Sequence, residues 1–393
     1  MRHFHQLPEA VRSRLFAVEP DPFERTADTA TLAMSLGATL YMPATRPAIA
    51  ADLVRQHAAG VLSSVVCLED AIADADIPWA EENLVAQLRL LRDRTRGGDG
   101  APLTFVRVRR PEQIPDLVER LGADAVLLSG FVLPKFEADN GRAYLEALHV
   151  ARRDSGVPLL AMPVLESPRL IHRESRLSTL TGIAQLLGEQ RDLVLAVRIG
   201  ATDLSAVYGL RRDPDLTIYD VRIVAELISD VVNVLGRADG TGHVITGPVW
   251  EYFASHDRLF KPQLRVTPFE DQDERGLRQR LVRADLDGLI REVVLDKANG
   301  LIGKTVIHPD HVAAVHALLV VTAEEHSDAT DIVGTAASGG ATASRYGNKM
   351  NESKPHLAWA RGVLARARAF GVAHEDVGLV DLLAAEALPA RLA

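Results

Sequence analysis

Two carboxylates follow two apolar runs in separate parts of the chain. Glu166 directly follows the run 162–165, and Asp203 stands shortly after the run 197–199. Apolar runs of this length, bounded by Gly or Pro, are typical of strands buried on both faces. If both strands belong to one parallel sheet, we expect the two acids at the same rim, where they suit a hard divalent cation such as Mg²⁺. Either acid alone could equally cap the helix that follows it.

Other polar side chains also stand where predicted strands end. Arg107 interrupts an otherwise apolar strand, and burying a guanidinium without an anion is costly. It therefore either pairs with a core acid such as Glu69 or clamps a substrate carboxylate or enolate oxygen. Lys135, after Pro134, could form a Schiff base in a metal-free aldolase, but a surface or salt-bridged lysine is the commoner case. The residues at strand ends are Arg46, Glu69, Asp70, Arg107, Lys135, Glu166, Asp203 and His308.

Several of these residues also have ordinary structural explanations. Glu69 and Asp70 could orient Arg107 or water on the metal, or only cap a helix. A histidine such as His308 is more often a hydrogen-bonded structural residue than a base. Cys67 is the single cysteine, so no intramolecular disulfide is possible, and it is predicted to be packing within a buried strand.

The elements that must position these side chains form a regular series. Eight short apolar segments between about residues 38 and 307 alternate mainly with helical patterns. This alternation indicates βαβ units and a parallel sheet, and eight of them fit a (β/α)₈ TIM barrel, a fold of the α/β class, better than an open doubly wound sheet. No G-x-G-x-x-G opens a helix after a strand, so a dinucleotide site is not indicated.

The pattern predicts four segments along the chain. Residues 1–37 form an N-terminal helical segment with a helix over 23–36, and residues 38–326 form the catalytic barrel. Residues 327–349, rich in Gly, Ala, Ser and Thr, form a flexible linker. Residues 350–393 form a C-terminal helical arm or lid, or else a merely structural helix on a connector. Glu352, an acid just after the tether, is a candidate for proton transfer.

Composition narrows the function classes. The 393 residues are 47% hydrophobic and 25% charged, as in a soluble globular protein. A net charge of −9 argues against nucleic acid or an anionic membrane as a partner. The N-terminus lacks the apolar core of a signal peptide, and no run is long enough to span a membrane. These features predict a cytoplasmic protein.

Six segments, in this order, resemble those of the citrate lyase β-subunit-like enzymes in the HpcH/HpaI aldolase superfamily. The similarity covers about residues 38–326. The added N-terminal helices, the enlarged loop at 250–275 and the tail at 350–356 are most similar to a divergent branch, the C–C bond lyases linked to tellurium-resistance and stress gene clusters. The segments are L-E-D-A-I at 68–72, V-R-V at 106–108, L-P-K at 133–135, L-E-S at 165–167, G-A-T-D-L at 200–204 and G-K-T-V-I-H-P at 303–309.

The resemblance implies a metal-dependent barrel that acts on 2-oxo acids or acyl-CoA esters. It implies Mg²⁺, or Mn²⁺ in its place, on Glu166 and Asp203. It also implies trimers or hexamers in which the C-terminal arm reaches a neighbour's site. The predicted catalytic residues are Arg107, Glu69, Asp70 and Glu352, and the predicted substrate contacts are Arg107, Arg46, Pro134 and Lys135.

Three positions depart from that family's pattern. Cys67 replaces an aspartate, Arg109 replaces an asparagine, and Ala44 replaces a glycine. These positions lie where substrate and CoA would enter, so the resemblance does not specify the substrate or whether CoA is used.

We therefore expect a Mg²⁺-dependent carbon–carbon lyase or aldolase that acts through an enolate. One alternative is an acyl-CoA thioester hydrolase on the same scaffold. Another is a non-catalytic barrel in a stress-response or biosynthetic complex, with Trp250, Tyr252 and Phe253 at an interface. The intact pair of acids argues against this last function, because a scaffold needs no metal site.

Overall fold

Eight parallel strands form a closed barrel in the computed structural model of the chain, which describes residues 1–95, 99–253 and 286–386. The strands follow one another around the barrel in sequence order, and the last pairs with the first through Ala38 and Lys304. The predicted (β/α)₈ barrel is confirmed. The strands are Ala38–Pro43, Ser63–Cys67, Leu103–Arg107, Leu128–Leu133, Leu160–Leu165, Val197–Ile199, Ile245–Trp250 and Lys304–Val306.

Helices cover the outside of the barrel. Gln113–Leu121 shows why: Ile114, Leu117 and Leu121 recur at helical spacing and are all buried against the sheet. No helix in the described ranges is long and apolar enough to cross a bilayer. The helices around the barrel are Ile49–Ala58, Ile77–Arg94, Gln113–Leu121, Ala138–Ser155, Pro168–Ile171, Arg173–Glu189, Ala201–Ala206, Arg222–Leu235, Leu286–Ala298 and His311–Leu319, with short 3₁₀ turns at Asp74–Asp76, Gly122–Leu127 and Ile218–Asp220.

Alternate side chains of the strands fill the barrel interior. Phe105, Val132, Met162 and Val164 belong to one buried cluster inside the barrel. Their neighbours along each strand face the helices instead, because successive side chains of a strand point to opposite faces. The interior is therefore packed, and the polar residues that follow the strands are gathered at its C-terminal mouth.

The N-terminal segment is less helical than the sequence predicted. It contains the helices Glu9–Leu15 and Thr29–Met34, and the second is shorter than the expected 23–36. Asp28 caps that helix by accepting a hydrogen bond from the Thr31 amide at 2.9 Å, which fixes its start. Phe16–Val18 is a strand that pairs antiparallel with Val372–Ala373. Because the two strands are far apart in the sequence, no local pattern in either segment predicts their pairing.

The prediction of a flexible linker over 327–349 is wrong for the first residues of that range. Residues up to Thr335 belong to the helix Ala323–Thr335, whose N-terminus carries a capping box between Thr322 and Glu325. Its buried Ile332 packs in a cluster with Val363. A hairpin of Ala341–Ala343 and Met350–Glu352 follows, and the helices Leu357–Phe370 and Leu379–Glu386 complete the described chain.

The three aromatic residues predicted at an interface differ in exposure. Trp250 is fully buried, because its ring packs in the core and faces the Arg212 guanidinium at 4.8 Å. Tyr252 is half-buried and donates a hydrogen bond to the Arg212 carbonyl. Only Phe253 is well exposed, at 52%. Most of the enlarged loop at 250–275 lies outside the described residues.

Buried histidines make the fold sensitive to acid. His3 is fully buried, with its Nε2 2.9 Å from the Ser35 carbonyl oxygen, and burial lowers its pKa to about 3. Below the ordinary histidine pKa of 6.5, the unfolded chain binds a proton that the folded chain excludes, so stability falls as the pH falls. We expect the wild type to lose about 1.4 kcal/mol per pH unit from this residue below pH 6.5. His3→Gln should lose less stability between pH 7.5 and pH 5.5 in urea unfolding.

The exposed His149 offers the matched control. His149→Gln should keep the full pH dependence of the wild type. The assignment to His3 is wrong if His3→Gln keeps it too.

Candidate active site

Charged side chains from four neighbouring strand ends meet at the mouth of the barrel. Arg107 Nη2 lies 2.5 Å from Glu69 Oε2 and 2.8 Å from Glu166 Oε1. Lys135 Nζ lies 2.6 Å from Glu69 Oε1 and 2.9 Å from Asp70 Oδ2. We call these five residues, Arg107, Glu69, Asp70, Lys135 and Glu166, the mouth cluster. The sequence predicted that they would converge, and they do.

Glu166 and Asp203 lie on either side of a glycine. Glu166 follows the strand Leu160–Leu165, and Asp203 lies in the first turn of Ala201–Ala206. A Cβ at Gly200, which precedes that helix, would lie only 2.1 Å from Glu166 Oε2. Glycine at this position therefore lets the Glu166 carboxylate lie against the turn that carries Asp203. Lys135 Nζ, 3.7 Å from Asp203 Oδ1, links Asp203 to the mouth cluster.

The carboxylate of Glu166 has one oxygen with a free lone pair. Its Oε1 accepts hydrogen bonds from Arg107 at 2.8 Å and from the Lys135 amide at 2.9 Å. Its Oε2 is buried and, among the described residues, has no hydrogen-bond partner. Burial raises the pKa of Glu166, and although Arg107 opposes this, the nearby Asp203 charge raises it further. A cation between the two acids would remove both penalties.

This donor set fits Mg²⁺. The side chain of Asp203 is 34% exposed, so solvent reaches this acid, whereas the Glu166 side chain is buried. No cluster of three or more His, Cys, Asp or Glu residues that could enclose a metal occurs in the described ranges. Mg²⁺ commonly takes one or two carboxylates and completes its octahedron with water and substrate oxygens. Two carboxylates, one with an unsatisfied oxygen, match that requirement.

Of the two roles considered for Arg107, the structure shows the ion pair with a core acid, and the clamp on a substrate oxygen stays a prediction. Arg107 forms the expected ion pair with Glu69, and it also contacts Glu166. Burial alone would lower its pKa, but the carboxylate charges, Glu166 first, raise it, so the guanidinium stays charged. Its Nε is buried and without a hydrogen-bond partner among the described residues. That N–H is a donor that the described residues leave unsatisfied.

Lys135 is held as a salt-bridged cation. Its backbone adopts a φ of 46°, which is unusual for a residue other than glycine and aims its amide at Glu166. Burial would lower the pKa of the amine, but the hydrogen bonds to Glu69 and Asp70 raise it. A Schiff base requires a neutral amine, so these contacts favour the salt-bridged lysine over the metal-free aldolase.

Arg109, which replaces an asparagine of the resembled family, orders the loop that carries two of the acids. Its guanidinium donates to the carbonyl oxygens of Leu68 at 2.8 Å and Glu69 at 3.1 Å, and it pairs with Asp74 at 2.6 Å. The substitution therefore replaces a neutral side chain with a cation that donates a hydrogen bond to the Glu69 main-chain carbonyl.

Four other residues that were predicted for the site form none of the described ion pairs of the mouth cluster. Arg46 pairs with Asp52 at 2.6 Å, and its side chain is 47% exposed. Pro134 is buried next to Lys135, and His308 stacks on Phe253 with ring centroids 5.3 Å apart. Glu352 lies in the C-terminal hairpin. Within the described ranges, no hydrogen bond or ion pair joins Arg46 or Glu352 to the mouth cluster.

Two interior residues were missed from the sequence. Tyr41 is half-buried in the barrel, and the Arg198 guanidinium lies 5.5 Å from the centre of its ring. Arg198 could have been found, because an arginine inside an apolar strand is the same signal that drew attention to Arg107. Tyr41 could not, since an aromatic residue in a buried strand is ordinary core.

Comparison with known proteins gives a family match and a shared fold. A family model described as a C–C bond lyase of the TIM-barrel fold matches residues 30–372. The CitE protein of Mycobacterium tuberculosis, solved with magnesium, acetoacetate and coenzyme A, is 21% identical with a TM-score of 0.51, over 88% of this chain and 99% of that one. A citrate lyase of Burkholderia xenovorans LB400 is 18% identical with a TM-score of 0.59, over 88% and 96%. No curated protein matches the sequence.

Proposed function

The chain belongs to the family of TIM-barrel C–C bond lyases, and from that premise we propose that it is a Mg²⁺-dependent lyase or aldolase. Its substrate is a 2-oxo acid, a hydroxy acid or an acyl-CoA ester, cleaved through an enolate. The observation that carries the proposal is the geometry of the mouth cluster. One arginine, with an N–H that the described residues leave unpaired, joins a carboxylate that has an unsatisfied oxygen.

Glu166 and Asp203 are the residues that would hold the metal. When bound there, Mg²⁺ supplies Lewis-acid polarisation of the substrate oxygens. Arg107 occupies Glu166 Oε1 and leaves Oε2 free, so the two cations do not compete for one oxygen. Gly200, which has no Cβ, leaves the space beside that oxygen unfilled.

Arg107 is placed to stabilise the charge that develops during cleavage. When the carbon–carbon bond breaks, the hydroxyl on the departing carbon loses its proton and becomes a carbonyl, and the electron pair of the broken bond forms an enolate on the other fragment. A guanidinium fixed beforehand stabilises that oxygen without reorganisation. Glu69 and Glu166 hold Arg107 from two sides, at 2.5 Å and 2.8 Å, so it cannot swing away from the mouth.

Proton transfer completes the reaction at the enolate carbon. The Lys135 ammonium lies between Glu69 and Asp70 and forms an ion pair with each. Glu352 remains our candidate for the proton-transfer group. Its hairpin is tied to the helix Ala323–Thr335, where Asn351 donates to Asp328 at 2.7 Å. Glu352 would then serve the mouth of a neighbouring subunit in a homo-oligomer, a trimer or a hexamer.

The inclusion of acyl-CoA esters rests on a related fold. The CitE structure contains magnesium, acetoacetate and coenzyme A, which are the components expected of carbon–carbon chemistry on a CoA ester. In the present chain, Arg109 and Ala44 depart from the pattern of the resembled family, so free oxo acids belong among the substrates to be tried.

A product analysis tests this function. Purified protein is incubated with a panel of 2-oxo acids, hydroxy acids and acyl-CoA esters, with Mg²⁺ or with EDTA, and the products are identified by mass spectrometry. We expect one substrate to yield two products whose carbons sum to the parent, only when Mg²⁺ is present. Free CoA released with an intact carbon skeleton would instead make the protein a thioester hydrolase, and turnover in EDTA would remove the metal from the mechanism.

A further inference from the structure

The helix that carries Asp203 is short. Ala201–Ala206 has six residues, and a helix of this length is not stable without tertiary contacts. Ala201 and Leu204 are buried and attach it to the core, but no side chain of the described residues caps its first turn. Contacts on the exposed side of the helix must therefore help to fix the position of the Asp203 carboxylate.

Glu251 makes such a contact. It directly follows the strand Ile245–Trp250, so it lies at the C-terminal mouth of the barrel, as the other acids do. Its Oε1 accepts a hydrogen bond from Thr202 Oγ1 at 2.8 Å. Thr202 immediately precedes Asp203 in the first turn of the helix. An acid at one strand end is thus tied to the turn that carries Asp203 at the end of the preceding strand.

The Glu251 carboxylate is itself held by buried charges. Its Oε2 lies 3.4 Å from Arg212 Nε, and the Arg212 side chain is only 1% exposed. Arg212 also pairs with Glu292, whose Oε1 lies 2.7 Å from Lys304 Nζ. Lys304 belongs to the last barrel strand and to the G-K-T-V-I-H-P segment. Ion pairs of alternating charge therefore connect Glu251 to the sheet.

Charge neutralisation alone does not account for Glu251. The buried cations Arg212 and Lys304 already have two buried acids, Glu292 and Asp296, and Asp296 Oδ2 lies 2.7 Å from Lys304 Nζ. These two cations and two acids balance without a fifth charge. The contact of Glu251 with Arg212 is also longer than its contact with the hydroxyl, at 3.4 Å against 2.8 Å. The hydrogen bond from the helix is therefore the contact for which this acid is needed.

We propose that Glu251 is a positioning residue for the metal ligand Asp203 and acts through Thr202. The hydrogen bond holds the first turn of Ala201–Ala206, so the Asp203 carboxylate is already in place before a cation arrives. Ligands that are fixed in advance bind a cation more tightly, because less ordering free energy is lost on binding. This inference rests on the proposed function, because it takes Asp203 as a Mg²⁺ ligand.

Substitutions at Thr202 test the hydrogen bond without changing any charge. Thr202→Val has the same shape but no hydroxyl, so we expect calorimetry to show Mg²⁺ binding weakened about tenfold. Thr202→Ser keeps the hydroxyl and should bind Mg²⁺ within about twofold of the wild type. Thr202 is exposed, so both variants should melt at the wild-type temperature.

A double variant tests whether the two residues act as a pair. Glu251→Ala removes both the acceptor and a negative charge, so it should weaken Mg²⁺ binding at least as much as Thr202→Val. Adding Thr202→Val to Glu251→Ala should weaken binding no further, because the hydroxyl no longer has its acceptor. If the two effects simply add, Glu251 acts on the cation through its charge alone, and the positioning role is overturned.

A second threonine–acid pair provides the control. Thr31 Oγ1 donates to Asp28 Oδ2 at 2.7 Å in the N-terminal segment. Thr31→Val should bind Mg²⁺ as the wild type does. The proposal is also overturned if Thr202→Val keeps the wild-type affinity, or if Thr202→Ser loses as much affinity as Thr202→Val.

These outcomes differ from those of the product analysis. A protein in which Thr202→Val weakens Mg²⁺ binding, but which cleaves no substrate, would lose its proposed reaction and keep the role of Glu251. A protein that cleaves a substrate only with Mg²⁺, and whose Thr202→Val variant binds Mg²⁺ normally, would keep its function and lose that role. A wild type that binds no Mg²⁺ would lose both.

Discussion

Asp203→Asn should abolish Mg²⁺ binding, with a loss of at least about 100-fold in affinity, equivalent to about 2.7 kcal/mol. The reason is that the site offers only two carboxylates, and a neutral amide removes one of the two negative charges that attract the cation. Asparagine has the shape of aspartate, and Asp203 is partly exposed, so the fold should be retained. Titration calorimetry with Mg²⁺ measures the affinity, and thermal unfolding confirms the fold.

A surface aspartate provides the comparison for this substitution. Asp239 lies on an exposed loop, where it accepts hydrogen bonds from Thr241. Asp239→Asn should bind Mg²⁺ as the wild type does. Unchanged affinity in Asp203→Asn would remove the metal assignment from this pair of acids, and with it the proposed mechanism.

The barrel and the mouth cluster could be predicted because both depend on local patterns. Each strand is an apolar run bounded by turn residues, and each acid stands directly after such a run, so parallel pairing alone brings Glu69 and Glu166 to one rim. Glycine at position 200 and the positive φ of Lys135 allow these side chains to approach one another closely. Neither feature can be predicted from a local sequence pattern.

The remaining features depend on contacts between distant parts of the chain. The strand Phe16–Val18 exists because Val372–Ala373 pairs with it, and the helix Ala323–Thr335 is buried against Leu357–Phe370. The apolar run that contains the fourth barrel strand begins at residue 125, but the strand is Leu128–Leu133, because the 3₁₀ turn Gly122–Leu127 takes up the first residues of the run. An apolar run of this length does not specify helix or strand by itself.

Arg107→Lys should lower kcat by about 100- to 1,000-fold, equivalent to about 2.7–4 kcal/mol of transition-state stabilisation. A lysine keeps the positive charge between Glu69 and Glu166, so neither buried carboxylate is left unpaired. It cannot reproduce the planar guanidinium, which contacts both acids through Nη2 and carries further N–H donors in fixed directions. The substitution should therefore slow the chemical step, and the Mg²⁺ affinity should change only a few-fold. Steady-state kinetics on the substrate found by product analysis, with calorimetry for Mg²⁺, measure the two effects separately.

Arg110→Lys is the matched control, because Arg110 is exposed and lies only 3.9 Å from Glu112 in a surface pair. It should keep the wild-type kcat. If Arg107→Lys also kept kcat and lost only thermal stability, the Arg107–Glu69 ion pair would be structural, and the enolate would need another stabilising group. A fall in kcat at constant Mg²⁺ affinity has no structural explanation, since a loosened mouth would release the metal as well. This combination of measurements therefore distinguishes an arginine that acts on the substrate from one that only holds Glu166 in place.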